Sequence, residues 1–135
     1  MIAQLLILIA MLLTGMLPAL AGPGRYRAVD GDTVRIGPNL VRLKGFDTPE
    51  SVPGQYRCDR ELVHGKKAGK RLQELLDLGP VRIVRDGKKD KYGRVLAVLF
   101  IGHENVSDIL IREGLAVPYT GRVRRSINFD WCRHL

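Results

Sequence analysis

The sequence predicts an α+β domain: a small five-stranded barrel with two helices packed against it. Three observations carry that reading. Short strand-like runs recur early, between residues 25 and 44, and again between 81 and 101. The tight-turn tripeptide Asp30-Gly31-Asp32 separates the first two, and Asp-Gly between apolar alternations is a strong hairpin signal. Two further stretches, 59–77 and 106–113, read as helices from their apolar spacing or their caps. At 135 residues the chain supports one domain with a real core, not two.

Residues 1–21 contain no charged side chain. An apolar run there ends in Pro18 and the small-x-small tripeptide Ala19-Leu20-Ala21, the pattern of a cleaved export signal. The segment lacks the basic start of such signals, and it is about long enough to span a bilayer, so a retained anchor stays open. Either way the expectation is an exported protein, secreted or periplasmic, with a domain over 22–135.

Residues 22–24 are a flexible lead-in. Strands are expected at 25–29 and 33–36, then, after the turn Gly37-Pro38-Asn39, in the stretch from Val41 towards Glu50. Val41 and Leu43 alternate there with Arg42 and Lys44, one face apolar and the other cationic. Asp47-Thr48-Pro49 stops the strand, since proline lacks a ladder donor and holds its predecessor extended. A loop over 51–58 leads to the first helix, which Asp59 caps. Leu62, Ala68, Leu72, Leu75 and Leu76 follow helical spacing; Lys66, Lys67, Lys70 and Arg71 read as a solvated face; Gly79-Pro80 ends it.

A fourth strand at 81–85, a lysine-rich loop at 86–92 and a fifth strand at 94–101 follow. The fifth is apolar on both faces, as in a central strand. The second helix starts on Asn105 as cap, with Asp108 in its first turn, and Gly114 lies just past its end. Residues 115–119 are extended, and the tail carries Arg122, Arg124 and Arg125. This order of elements fits the oligonucleotide-binding (OB) barrel.

The formal charge is +8, which favours polyanionic partners, although many exported domains are basic for solubility alone. Cys58 and Cys132 are an even pair in an oxidising compartment and read as one disulfide, with two buried thiols as the alternative. Neither has the close Cys/His spacing of a zinc site, and His64, His103 and His134 are scattered surface residues.

Three pieces bear the chemistry: D-G-D-T at 30–33, R-L-K-G-F-D-T-P-E at 42–50 and D-K-Y-G-R at 90–94. A guanidinium beside carboxylates on a rigid strand and turn suits an anionic substrate with a bound cation. Hard oxygen donors without a His or Cys ligand select calcium or magnesium. Taken singly, each piece has a plainer reading: a hairpin turn, a surface salt bridge worth little, a solvated lysine loop, packing tyrosines. Together, and continued by G-R-V-L-A at 93–97 and E-G-L-A at 113–116, they resemble the thermonuclease, or staphylococcal-nuclease-like, family across essentially the whole mature chain.

That resemblance implies a calcium site at Asp32, Asp47 and the backbone carbonyl of Thr48. It implies Glu50 as the base that activates water, and Arg42 and Arg94 as the pair that holds the scissile phosphate. Lys91 and Tyr92 would contact a neighbouring phosphate, and Tyr119 would stack a base or sugar. The implied activity is calcium-dependent, sugar-nonspecific hydrolysis of DNA and RNA to 3'-phosphate ends by a monomer. Single-stranded or frayed substrate is favoured, because tyrosines stack only on accessible bases. The chain departs from the best-known member by lacking a third C-terminal helix, a role the Cys58–Cys132 bridge is expected to fill. Two other readings stay open: a non-catalytic nucleic-acid-binding barrel, and a cell-envelope protein whose basic surface meets anionic lipid or polymer.

Overall fold

The computed structural model describes residues 25–119 and 129–134. The expected export segment and the arginines at 122, 124 and 125 lie outside the described residues. Among the described residues, no helix is long and apolar enough to cross a membrane.

The protein is α+β. The five expected strands are present as β1 (Tyr26–Asp30), β2 (Thr33–Ile36), β3 (Asn39–Leu43), β5 (Val81–Lys89) and β6 (Val95–Ile101). They form one sheet in the order β1-β2-β3-β6-β5. β1, β2 and β3 pair antiparallel as a meander, β3 pairs parallel with β6, and β6 turns back antiparallel to β5. Three short strands complete the set: β4 (Gly45–Asp47), β7 (Glu104–Asn105) and β8 (Val117–Tyr119).

Two strand boundaries differ from expectation. The strand through Val41 does not run on to the Asp-Thr-Pro turn. Gly45 takes φ +91°, a left-handed conformation open chiefly to glycine, and the chain bends there. β4 then leaves the main sheet and pairs antiparallel with β8, Gly45 opposite Tyr119 and Asp47 opposite Val117. β5 continues beyond Arg85 to Lys89, across part of the expected loop. Its far end is held by the pairing of Lys89 with Val95 and by the Lys44–Asp86 ion pair.

Helix α1 (Asp59–Leu78) matches its expected span, but Cys58 rather than Asp59 is the cap: its sulfur accepts from the Glu61 N–H. Asp59 instead begins the first turn, where negative charge complements the helix dipole. Helix α2 (Val106–Arg112) is capped as expected, with Asn105 accepting from the Ser107 N–H. A third, single-turn helix, α3 (Trp131–His134), corrects the expectation of none. Cys58 and Cys132 form a disulfide. It fastens α3 to the start of α1, where Trp131 is buried.

Alternation along the strands sends Val34, Val41, Leu43, Ala97 and Leu99 inward. Leu72, Leu75 and Leu76 of α1 and Val106, Ile109 and Leu110 of α2 meet them in one core. β1 is an edge strand, and α1 covers it by a side chain rather than a strand. Gln73 accepts from the Ala28 N–H and donates to the Tyr26 carbonyl, so edge groups that would otherwise be open are paired.

Candidate active site

Two turns meet at one end of the sheet. The turn Asp30-Gly31-Asp32 joins β1 to β2, and Thr48-Pro49-Glu50 follows β4. They touch directly: a Cβ on Gly31 would lie 2.7 Å from both the Thr48 hydroxyl and the Ala68 Cβ. Only glycine allows this approach.

Arg42 reaches from β3 into the space between the turns. Its guanidinium pairs with Asp32 and Asp47, each at 3.1 Å, and donates to the Leu43 carbonyl at 2.7 Å. The bend at Gly45 brings the Phe46 carbonyl within 3.3 Å of the same group. Arg94 arrives from the start of β6. It donates to the Thr33 hydroxyl at 3.4 Å, and that hydroxyl donates to Asp32 at 3.0 Å. Both guanidiniums therefore converge on the acids, and both act on the Glu50 carboxylate as stabilising charges.

The carboxyls are short of positive charge. Burial raises Asp32, against the favourable charge of Arg42. Burial also raises Asp47 and Glu50, with Arg42 opposing in each case. Asp30 is pushed up to about 7, chiefly by burial and then by repulsion from Asp32. A hard divalent cation would relieve this deficit, so the donor chemistry fits one. Among the described residues no three Asp, Glu, His or Cys side chains converge into a complete cage. Asp32 and Asp47 would hold the ion with the Thr48 carbonyl and water.

The remaining expected site residues divide into two groups. Lys91 and Tyr92 stand beside Arg94, with the Lys91 ammonium 5.0 Å and the Arg94 guanidinium 5.4 Å from the Tyr92 ring centre. Tyr92 is 71% exposed, so its ring is open to a stacking partner. Tyr119 lies apart on β8, lining a shallow pocket of about 380 Å³ with Lys44, Gly45 and Ser107.

Four contributors escaped the sequence reading as site residues. Asp30 accepts from the Asp32 N–H and adds a fourth acid to the cluster. Asp90 grips Arg94 at 2.7 Å through Nε and at 3.0 Å through the backbone N–H. Burial works against its charge, but these bonds hold its carboxyl below the usual range. Glu61, buried in the first turn of α1, accepts from the Arg57 N–H at 2.7 Å and the Glu50 N–H at 3.5 Å, clamping both ends of the intervening loop. Gly65 lets α1 lie against the turn itself: its Cβ would fall 2.6 Å from the Glu50 carbonyl oxygen. Asp30 and Asp90 were visible inside their motifs, and Gly65 as a glycine within a long helical pattern. Nothing local distinguished Glu61.

The chain is similar in sequence to known proteins. The family model described as "Staphylococcal nuclease homologue" matches residues 40–130. The chain is 38% identical over 96 residues to "SPbeta prophage-derived endonuclease YokF" of Bacillus subtilis (strain 168), covering 67% of this chain and 31% of that protein. "Endonuclease YncB" of the same organism is 36% identical over 96 residues, 67% of this chain and 44% of the relative. "Thermonuclease" of Staphylococcus intermedius is 39% identical over 95 residues, 67% and 55% respectively. The chain thus spans about a third to just over half the length of these relatives.

Proposed function

We propose that this chain, which belongs to the staphylococcal nuclease homologue family, is a calcium-dependent nuclease that hydrolyses phosphodiester bonds of DNA and RNA. The observation that carries the reading is the convergence of Arg42 and Arg94, from different strands, on the acids of two abutting turns. Such an arrangement offers planar donors for the two free oxygens of a phosphodiester, with a carboxylate at hand for water.

In this reading Arg42 and Arg94 hold the phosphate and stabilise the negative charge that builds on it in the pentacoordinate transition state. Glu50 takes the proton from the attacking water; its raised carboxyl pKa brings it closer to the pH at which general bases work best. Calcium, which Asp32, Asp47 and the Thr48 carbonyl would hold, would supply Lewis-acid stabilisation of the phosphate's charge. Lys91 and Tyr92 engage the neighbouring nucleotide, and Tyr119 a base or sugar farther along. Cleavage leaves 3'-phosphate ends, single-stranded substrate is preferred, and the enzyme works as a monomer. The uncharged segment at 1–21 and the disulfide support action outside the cytoplasm.

The test is digestion of single-stranded DNA and RNA by the purified protein with calcium, with and without a chelator, followed by end-group analysis. Loss of cleavage in chelator and 3'-phosphate products are expected. Intact nucleic acid that is nevertheless bound in the presence of calcium would favour a binding module instead.

A further inference from the structure

We propose that the groove between β1 and α1 is a second polynucleotide subsite, taking the backbone of the bound strand beyond the scissile phosphate. The inference rests on the nuclease reading and extends it to a surface that shares only Asp30 and Gly65 with the site described above. The groove is open to solvent, has a volume of about 430 Å³ and is lined in part by Arg27, Asp30, Ser51, Lys66, Lys70 and Gln73. That volume lies within the range of pockets that hold small ligands, roughly 300–1,000 Å³.

Its position makes it continuous with the catalytic cluster. Ser51 directly follows Glu50, and Asp30 shares its turn with Asp32. In the strand order, β1 lies at one edge, β2 and β3 lie next, with Asp32 in the turn from β1 to β2 and Arg42 on β3, and β6 and β5, whose connection carries Lys91 and Tyr92, lie beyond. Cationic side chains therefore stand on both sides of the acids, and a strand held by the Lys91–Tyr92 turn can pass over the cluster into the groove.

The chemistry of its walls is that of a phosphate backbone site. Lys66 and Lys70 sit one turn apart on α1, about 6 Å along the axis, and Arg27 faces from β1. All three are exposed. Among the described residues no carboxylate pairs with any of them, whereas Arg71, on the same helix, is engaged by Glu113 and Glu74. The acid in the groove, Asp30, accepts from the Asp32 N–H, and the Gln73 amide is occupied with the β1 backbone. Ser51 adds a hydroxyl, and Val29 on the rim is 42% exposed, an apolar surface for a sugar or base. Three cations with no carboxylate partner among the described residues, set around one open trough, fit a polyanion better than a solvated helix face.

The experiment compares wild type with the triple variant Arg27→Ala/Lys66→Ala/Lys70→Ala, and with a charge-matched control, Lys67→Ala/Arg82→Ala/Arg85→Ala. With calcium, the triple variant should raise KM for a single-stranded 20-mer about tenfold while kcat stays within twofold. Kinetics on a dinucleotide, too short to reach the groove, should be unchanged. The salt slope of 20-mer binding, read by fluorescence anisotropy in chelator, should fall by about 2, from roughly 0.7 for each of three phosphates. The control should leave KM within twofold and the slope near wild type. A triple variant indistinguishable from the control in slope or KM overturns the subsite. If nothing is cleaved but anisotropy still depends on these three residues, the groove stands and the nuclease reading falls.

Discussion

Replacing Gly65 with alanine tests whether helix α1 sets the position of Glu50. The new Cβ would lie 2.6 Å from the Glu50 carbonyl oxygen and 2.7 Å from that of Pro49, both backbone atoms. Reaching the 3.4 Å of ordinary contact requires the helix and the turn to part by about 0.8 Å, the difference of those two distances. Alanine is the better helix former by about 1 kcal/mol, whereas overpacking of this kind costs about 1–3 kcal/mol. The net effect on stability is therefore small or mildly unfavourable. The effect on catalysis is large, because a misplacement of about 1 Å can reduce turnover roughly a hundredfold. Gly69→Ala is the matched comparison: its Cβ would meet the Asp30 backbone at 3.5 Å, in normal contact. It should gain up to about 1 kcal/mol and keep its activity. Denaturant melts and kcat on single-stranded DNA separate the two. A Gly65→Ala protein with wild-type kcat and raised stability would refute the idea that close helix approach places the turn.

Other outcomes follow from contacts around the same cluster. Asp90→Asn puts an amide against the Arg94 Nε donor, so kcat should fall about a hundredfold through lost orientation while melting changes little; unchanged kcat would mean that Arg94 is placed by other groups. Reducing the disulfide, which links residues 74 apart in sequence, should cost about 4 kcal/mol in the chain-entropy account, read as the difference between denaturant curves with and without reductant. For pH, the Asp30 carboxyl is raised from 3.8 to about 7 on folding, so between these values the folded state binds more protons than the unfolded one. Stability in chelator should fall as pH rises through that window, and Asp30→Asn should make the fall shallower, leaving the part contributed by the raised carboxyls of Asp32, Asp47 and Glu50.

The strand set and both long helices were legible because each writes a local pattern: alternation at Val41 and Leu43, caps at Asn105, a stop at Gly79-Pro80. The convergence of Arg42 and Arg94 was legible only through the joint order of three motifs, since neither arginine announces its partners alone. What escaped was set by contacts between distant segments. Gly45 reads as an unremarkable residue in a strand, yet its positive φ sends β4 to a second sheet. Exposed Asp86, Lys88 and Lys89 have the composition of a loop, but the pairing of Arg85 with Ala97 and of Lys89 with Val95 on either side of an irregular stretch keeps them within a strand. Glu61 looks like one more surface charge on a helix, and only the fold shows it buried and holding two backbone N–H groups.

Helix α1 draws these contacts together. Along one side it presents Glu61, then Gly65, then the neighbours Ala68 and Gly69, and these meet the loop before it, the Glu50 turn, Gly31 and Asp30. Two glycines lower helix propensity by about 1 kcal/mol each relative to alanine, so this face is poor for helix formation and good for close approach. The opposite demand is met by Leu72, Leu75 and Leu76 in the second half, which anchor the helix in the core, and by the disulfide at its cap. A helix built to stabilise the fold alone would carry larger apolar side chains at 65 and 69. Leaving them out lets the turns that carry the acids rest directly on its backbone, where desolvation raises their carboxyls. The conformational freedom that loops normally have is thereby removed from the groups that must hold a cation and a phosphate together.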